Sequence, residues 1–192
     1  MKKFYNIEGL IQSGFKLSRD YETLDFTYAK FGDDAVQEMA KSRSIKQVRR
    51  LTINGKKLTA LSARALAESD KMPNLKSLRL AWNEIGPEGT RHLAESPYMG
   101  SLTSLALSEN QIGDEGLKYL AKAKSLSSLE IIDLRKNQIT DEGAEALSKS
   151  KCLPKLQTID LTGNALTEKG MNALAEFKVF NLIRARLSED GT

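Results

Sequence analysis

One phrase of this sequence returns every 27 residues, and that period constrains the fold more than any other feature. Leu75, Leu102, Leu129 and Leu156 open the phrases LKSLRLAWNEIGPEGTRHLA, LTSLALSENQIGDEGLKYLA, LEIIDLRKNQITDEGAEALS and LQTIDLTGNALTEKGMNALA. Stepping back by the same interval lands on Val48 (VRRLTINGKKLTALSARALA) and then on Tyr21 (YETLDFTYAKFGDDAVQEMA). There the phrase persists with its punctuation decayed. Six units run from 21 to 179 without a slip, some four-fifths of the chain. A lone match would be weak; six at a fixed period are specific.

Counting the first residue of each phrase as zero, positions +3 and +5 form apolar pairs: Leu24/Phe26, Leu51/Ile53, Leu78/Leu80, Leu105/Leu107, Ile132/Leu134 and Ile159/Leu161. Period two with one apolar face reads as a short half-buried strand, starting near residues 22, 49, 76, 103, 130 and 157. The second half of each unit has helical spacing. In the fourth, Leu117, Leu120 and Ala121 follow Asp114 and Glu115, with Lys122 and Lys124 beyond. Asp141/Glu142 with Lys149/Lys151 repeat the arrangement. Acids at the start of a helix and bases at its end complement its dipole. A strand, a crossover helix and a parallel strand make one right-handed turn of chain. Strands stack about 4.8 Å apart, whereas packed helices need roughly 8–10 Å, so the stack bends with its strands on the inside.

The phrase L-x-x-L-x-L-x-x-N-x-I-G-x-E-G-x-x-x-L-A resembles the ribonuclease-inhibitor-like class of leucine-rich repeats. The resemblance implies an α/β fold, a right-handed curved solenoid with a parallel sheet on the concave face and helices on the convex face. It also implies non-catalytic binding of proteins, as in inhibitors, receptors and bacterial effectors. The family includes GTPase-activating members, so regulation of a small GTPase is an alternative, as is a structural segment of a larger chain. No residues here match a GTPase-activating site.

Asn83, Asn110, Asn137 and Asn164 hold position +8, with Ala29 and Lys56 there in the first two units. A side-chain amide both donates and accepts, so these residues are expected to bond backbone groups where each strand ends. Gly89, Gly116, Gly143 and Gly170 hold +14, where they allow close helix packing. Residues 1–20 read as an N-terminal cap carrying Ile7, Leu10, Ile11, Phe15 and Leu17. Residues 180–192 read as a short cap strand (Phe180, Ile183, Ala185) and tail. That cap is thin, so either a longer parent continues or the edge supports self-association.

Hydrophobic residues at 40% and charged residues at 28% exclude disorder, and aromatics at 6% require an aliphatic core. The lone Cys152 excludes an intrachain disulfide and a cysteine-based zinc site. No secretory leader follows Met1, and no stretch approaches the about 18 apolar residues of a membrane span. A soluble cytoplasmic protein with no membrane partner is the expectation; a bacterial effector delivered to a host cytosol, or a piece of a longer chain, is the alternative. The only histidine, His92 at +17, lies more than two units from Cys152 at +23, which rules out a Cys–His pair. Asp133 and Asp160 share +4 on neighbouring strands with Arg135 beside them, which reads as a salt-linked ladder. No P-loop, dinucleotide fingerprint or metal motif occurs, so neither enzymatic activity nor a cofactor is expected. Eight basic residues between Lys41 and Arg64 suggest a phosphate-binding patch. They fall at positions spread around the solenoid's cross-section and lack interleaved aromatics, which argues against nucleic acid.

The concave face is the extended surface such a solenoid offers. Its outward positions are +2, +4, +6 and, near the strand end, +7, where Tyr28 and Trp82 stand; small polar residues dominate. Against that background stand Tyr28, Arg50, Arg79, Trp82, Ile131, Asp133 and Arg135, the candidate contacts for an unidentified protein partner. Trp, Tyr and Arg are the types enriched among interface hot spots. The competing reading of Trp82 folds its ring over the turn against Asn83 and Glu109.

Overall fold

A computed structural model describes residues 6–16, 21–175 and 182–184. Helix α1 (Ile7–Lys16) precedes six strand–helix units. These are β1 (Thr23–Asp25) and α2 (Asp33–Met39), β2 (Arg50–Thr52) and α3 (Ala60–Ala67), β3 (Ser77–Arg79) and α4 (Gly86–Ala94). The series continues with β4 (Ser104–Ala106) and α5 (Gly113–Ala121), β5 (Ile131–Asp133) and α6 (Asp141–Ser148), β6 (Thr158–Asp160) and α7 (Glu168–Ala175), before β7 (Leu182–Arg184). The strands form one parallel sheet in chain order, which is the α/β solenoid expected from the period. Each of the first six begins one residue later than the spacing predicts. Register is set by position +3: Leu24 pairs Leu51, which pairs Leu78, and so on through Leu105, Ile132 and Ile159 to Ile183. Of the expected C-terminal cap, Phe180 and Ala185 lie outside the described residues.

The alternation explains the burial. Side chains at +3 and +5 are sealed beneath the helices: Leu24, Leu51, Leu78, Leu105, Ile132 and Ile159 are essentially inaccessible, as are their +5 partners. Leu75, Leu102, Leu129 and Leu156 close the lower core, and Leu66, Leu93, Leu120 and Leu147 seal it from the helices. Each such leucine contributes about 1.5–3 kcal/mol, so Leu105→Ala would cost about 2–5 kcal/mol through the cavity it leaves. Among the described residues aromatic packing is confined to the N-terminal end, where Phe26 meets Phe31 edge-on at 5.2 Å. Helix α1 covers that end with buried Ile11, and Glu8 accepts from the hydroxyls of Ser42 and Ser44. The +14 glycines sit where helices nearly touch: a Cβ on Gly89 or Gly170 would lie 3.1 Å from the Cα of Ala60 or Asp141 in the preceding helix.

The asparagines form a buried ladder that runs between units. Asn110 donates from Nδ2 to the carbonyls of Leu107 and Ser108 in its own turn and to Leu80 of the unit before. Its Oδ1 accepts from the Ile85 N–H, also in the unit before. Asn83, Asn137 and Asn164 repeat the pattern, reaching back to Ile53, Leu107 and Leu134. The expected turn bonds are therefore half of the role; the other half is a tie across the repeat interface.

Two further columns do similar work and escape a reading of the sequence. At the helix starts, Asp33, Asp114 and Asp141 at +12 accept from both the N–H and the hydroxyl of Thr59, Thr140 and Thr167 at +11 of the next unit. Thr59 and Thr140 in turn cap their own helices. Where +11 is Gly86 or Gly113, the backbone turns left-handed (φ 63° and 62°) and its N–H donates to the carbonyl of Asn110 or Asn137. At the helix ends, Ser69, Ser96 and Ser150 donate to the terminal carbonyls of Ala40, Ala67 and Ala121 in the preceding unit.

Candidate protein-binding face

The strands' other face carries +2, +4 and +6. Tyr28 is 84% exposed, Trp82 57% and Ile131 48%; Arg50, Arg79 and Arg135 are also exposed, and Asp133 is half-buried. The seven candidates do not form one cluster. Arg50, Arg79 and Trp82 belong to adjacent units, since Arg50 pairs in register with Ser77, two residues before Arg79. Tyr28 stands one unit further towards the N-terminus. Ile131, Asp133 and Arg135 lie two units away on and after β5.

Charge divides the face in the same way. Arg135 grips Asp133 through both carboxylate oxygens, at 2.9 and 2.7 Å, and approaches Asp160 at 3.7 Å. Burial raises the Asp133 pKa, but the Arg135 guanidinium and backbone N–H outweigh it and hold the carboxyl below its usual range. Asp133, Asp160 and Arg135 thus form the salt-linked ladder the sequence suggests. Arg50 turns towards the first strand, with Nε donating to Thr23 Oγ1 at 2.9 Å. Among the described residues the Arg79 guanidinium has no partner. Several bases between Lys41 and Arg64 are spent internally: Lys41 on Glu38, Arg49 on Glu22, Arg64 on Glu68, and Lys56 on the Thr27 carbonyl.

Trp82 combines the two readings of its position. Its ring is exposed and stands next to Glu109, which accepts from Lys136 Nζ at 3.0 Å. Lys136 first, then Trp82, hold the Glu109 carboxyl below its usual range. The backbone at Trp82 is left-handed, φ 54°. So is every +7 position from the second unit to the sixth: Gly55, Trp82, Glu109, Lys136 and Gly163. A side chain costs roughly 1–2 kcal/mol there, which glycine avoids. Gly55 and Gly163 sharing this column were the signal by which the sequence could have marked it. In units three to five the strained position is filled by Trp, Glu and Lys, of which Glu109 and Lys136 are paired.

His92 lies on α4 with Nε2 3.5 Å from Glu88, and Cys152 is half-buried in a distant loop. Among the described residues no group of three or more His, Cys, Asp or Glu side chains is placed to hold a metal ion, and no helix is long and apolar enough to cross a membrane.

A parallel sheet stacked in chain order, an asparagine ladder and an open sheet face define a repeat solenoid of the kind that mediates protein–protein contacts. A family model described as leucine-rich repeat matches residues 71–94, 101–121, 125–148 and 152–175. The chain belongs to the leucine-rich-repeat family. Among solved structures it is similar to the tropomodulin C-terminal domain of Caenorhabditis elegans, with TM-score 0.52 and 15% identity over 79% of this chain and 93% of that one. An internalin of Listeria monocytogenes aligns with TM-score 0.44 and 22% identity over 77% of this chain and 44% of that one. A search of curated proteins gave no match.

Proposed function

We propose that the chain is a non-catalytic scaffold that binds another protein on its concave face, with the contact centred on Trp82 and Arg79. The observation that carries this reading is Trp82 itself. A large ring is held in solvent on left-handed backbone where the preceding unit uses Gly55, and backbone strain of this kind clusters at functional sites. Beside it, Arg79 offers an unpaired guanidinium suited to a partner carboxylate. Tyr28, Arg50 and Ile131 would extend the contact, whereas the Asp133–Arg135 pair would meet a partner as a neutral patch.

Trp82→Gly tests the reading. Relief of the left-handed strain, about 1–2 kcal/mol, offsets the lost exposed contacts, so the melting temperature should hold or rise. Capture of the partner from source lysate should fall, and Arg79→Ala should lower it further. A Trp82→Gly protein that melts normally and captures the same proteins as wild type would overturn the proposal.

A further inference from the structure

Elsewhere on the solenoid several basic side chains are neutralised in place, although among the described residues Lys30, Arg43, Lys46, Lys57, Lys76 and Arg79 also lack a carboxylate within 4.0 Å. Lys118 is shared by Glu115 and Glu142, Arg91 by Glu88 and Glu95, and Lys169 meets Glu145. The edge where the helices return the chain to the strands is different in the fourth and fifth units. Lys122 and Lys124 follow α5, Lys149 and Lys151 follow α6, and Lys155 precedes β6. All five are exposed. Among the described residues none has a carboxylate within 4.0 Å. The two groups are neighbours, because Ser150, between Lys149 and Lys151, donates to the carbonyl of Ala121 next to Lys122. No acid occurs in residues 122–129 or 146–159.

Lysines near helix ends complement the dipole, but that accounts for little here. The terminal carbonyls of α4 and α5 are already bonded by Ser125 and Ser150. Five like charges remain with no ion pair within 4.0 Å among the described residues; Glu145, one turn before Lys149, feels its charge but is paired with Lys169. We propose that this lysine edge is a docking site for an anionic membrane surface, independent of the concave face. Lysine is a hydrated point charge that reads charge without fixed geometry, which suits a mobile array of headgroups. Clusters of about 4–8 Lys or Arg beside a membrane span or on an amphipathic helix bind anionic lipid, and this edge gathers five. Protein interfaces, by contrast, are depleted in lysine, and single-stranded nucleic acid calls for stacking rings. The neighbouring unit adds Tyr98, 46% exposed at the same edge, a ring type that favours the headgroup zone. The expectation of no membrane partner rested on the lack of a span and does not bear on peripheral contact.

The test is flotation of the full chain with phosphatidylcholine vesicles, with and without phosphatidylserine, at low and high salt. Binding should require phosphatidylserine and weaken as salt screens it. Lys149→Gln with Lys151→Gln should reduce partitioning about tenfold or more. Lys30→Gln with Lys57→Gln removes the same charge from the opposite edge and should change it little. The proposal fails if phosphatidylserine does not promote binding, or if both double variants lose it equally. It also fails if duplex DNA at the same salt binds more tightly than the vesicles and through the same lysines.

Discussion

The first two units and the last four solve one structural problem differently. In units three to six, the strand-end carbonyl at +5 of the preceding unit accepts from an asparagine of the next: Ile53 from Asn83, Leu80 from Asn110, Leu107 from Asn137, Leu134 from Asn164. Phe26, in the first unit, faces Lys56 instead of an asparagine. Its carbonyl accepts from Ala29 N–H within its own turn, and Lys56 Nζ reaches the Thr27 carbonyl at 2.8 Å. Partial burial lowers the Lys56 pKa, offset in part by Asp25. The regular units are joined by a uniform buried amide, the N-terminal pair by local turns, a lysine and the Phe26–Phe31 contact. What they share is the Asp–Thr tie: Asp33 bonds Thr59 and Ser62 as Asp114 bonds Thr140 and the Gly143 N–H. A repeat can lose its ladder residue and stay in register if one interface device survives.

The largest test of this contrast is excision. Removing residues 75–101 brings the second unit against the fourth, where Asn110 and Gly113 can take over from Asn83 and Gly86. That protein should fold cooperatively, shorter by one repeat. Removing half a unit, residues 75–87, should abolish cooperative melting. Removing 48–74 should be tolerated less well than 75–101, because Asp33 then loses both Thr59 and Ser62. A second test compares ladder positions. Asn110→Ala leaves the buried Ile85 N–H without its acceptor and takes one of two donors from each of the carbonyls of Leu80, Leu107 and Ser108, and should cost about 1–3 kcal/mol in denaturant unfolding. Lys56→Ala should cost under about 1 kcal/mol; equal losses would erase the distinction between the two regions. The smallest effect concerns acid. Burial raises the Asp141 pKa, but bonds from Thr167 and the Gly170 N–H outweigh it, leaving the carboxyl below its usual range. Its folded pKa is therefore the lower one. The stabilisation it gives is complete above the unfolded value near 4 and disappears as pH falls through the folded value. Asp141→Asn should flatten that acid limb of the melting profile.

Strands, register and core could be read directly because they depend on apolar spacing, which the 27-residue period repeats in every unit. The asparagine column could be read because four units share it. The Asp–Thr and serine ties could not, since each links residues 26 or more positions apart and the residue types change from unit to unit. Position +11 is Thr in some units and Gly in others, and the fourth unit moves its serine to Ser125. The candidate face was legible as a set of outward positions. Its division was not: whether Arg135 is consumed by Asp133 while Arg79 stays free depends on which carboxylates the neighbouring strands bring within reach.

The ladder also has a direction in time. In units two to five the strand-end turn is finished by an amide that lies 25 to 30 residues later in the chain. During synthesis, a repeat that has left the ribosome keeps an open turn N–H, such as that of Ile85 or Ile112, until its successor has emerged. Nascent repeats would therefore close one behind another, each new unit locking the one before it, so the growing end is always the least finished part of the molecule.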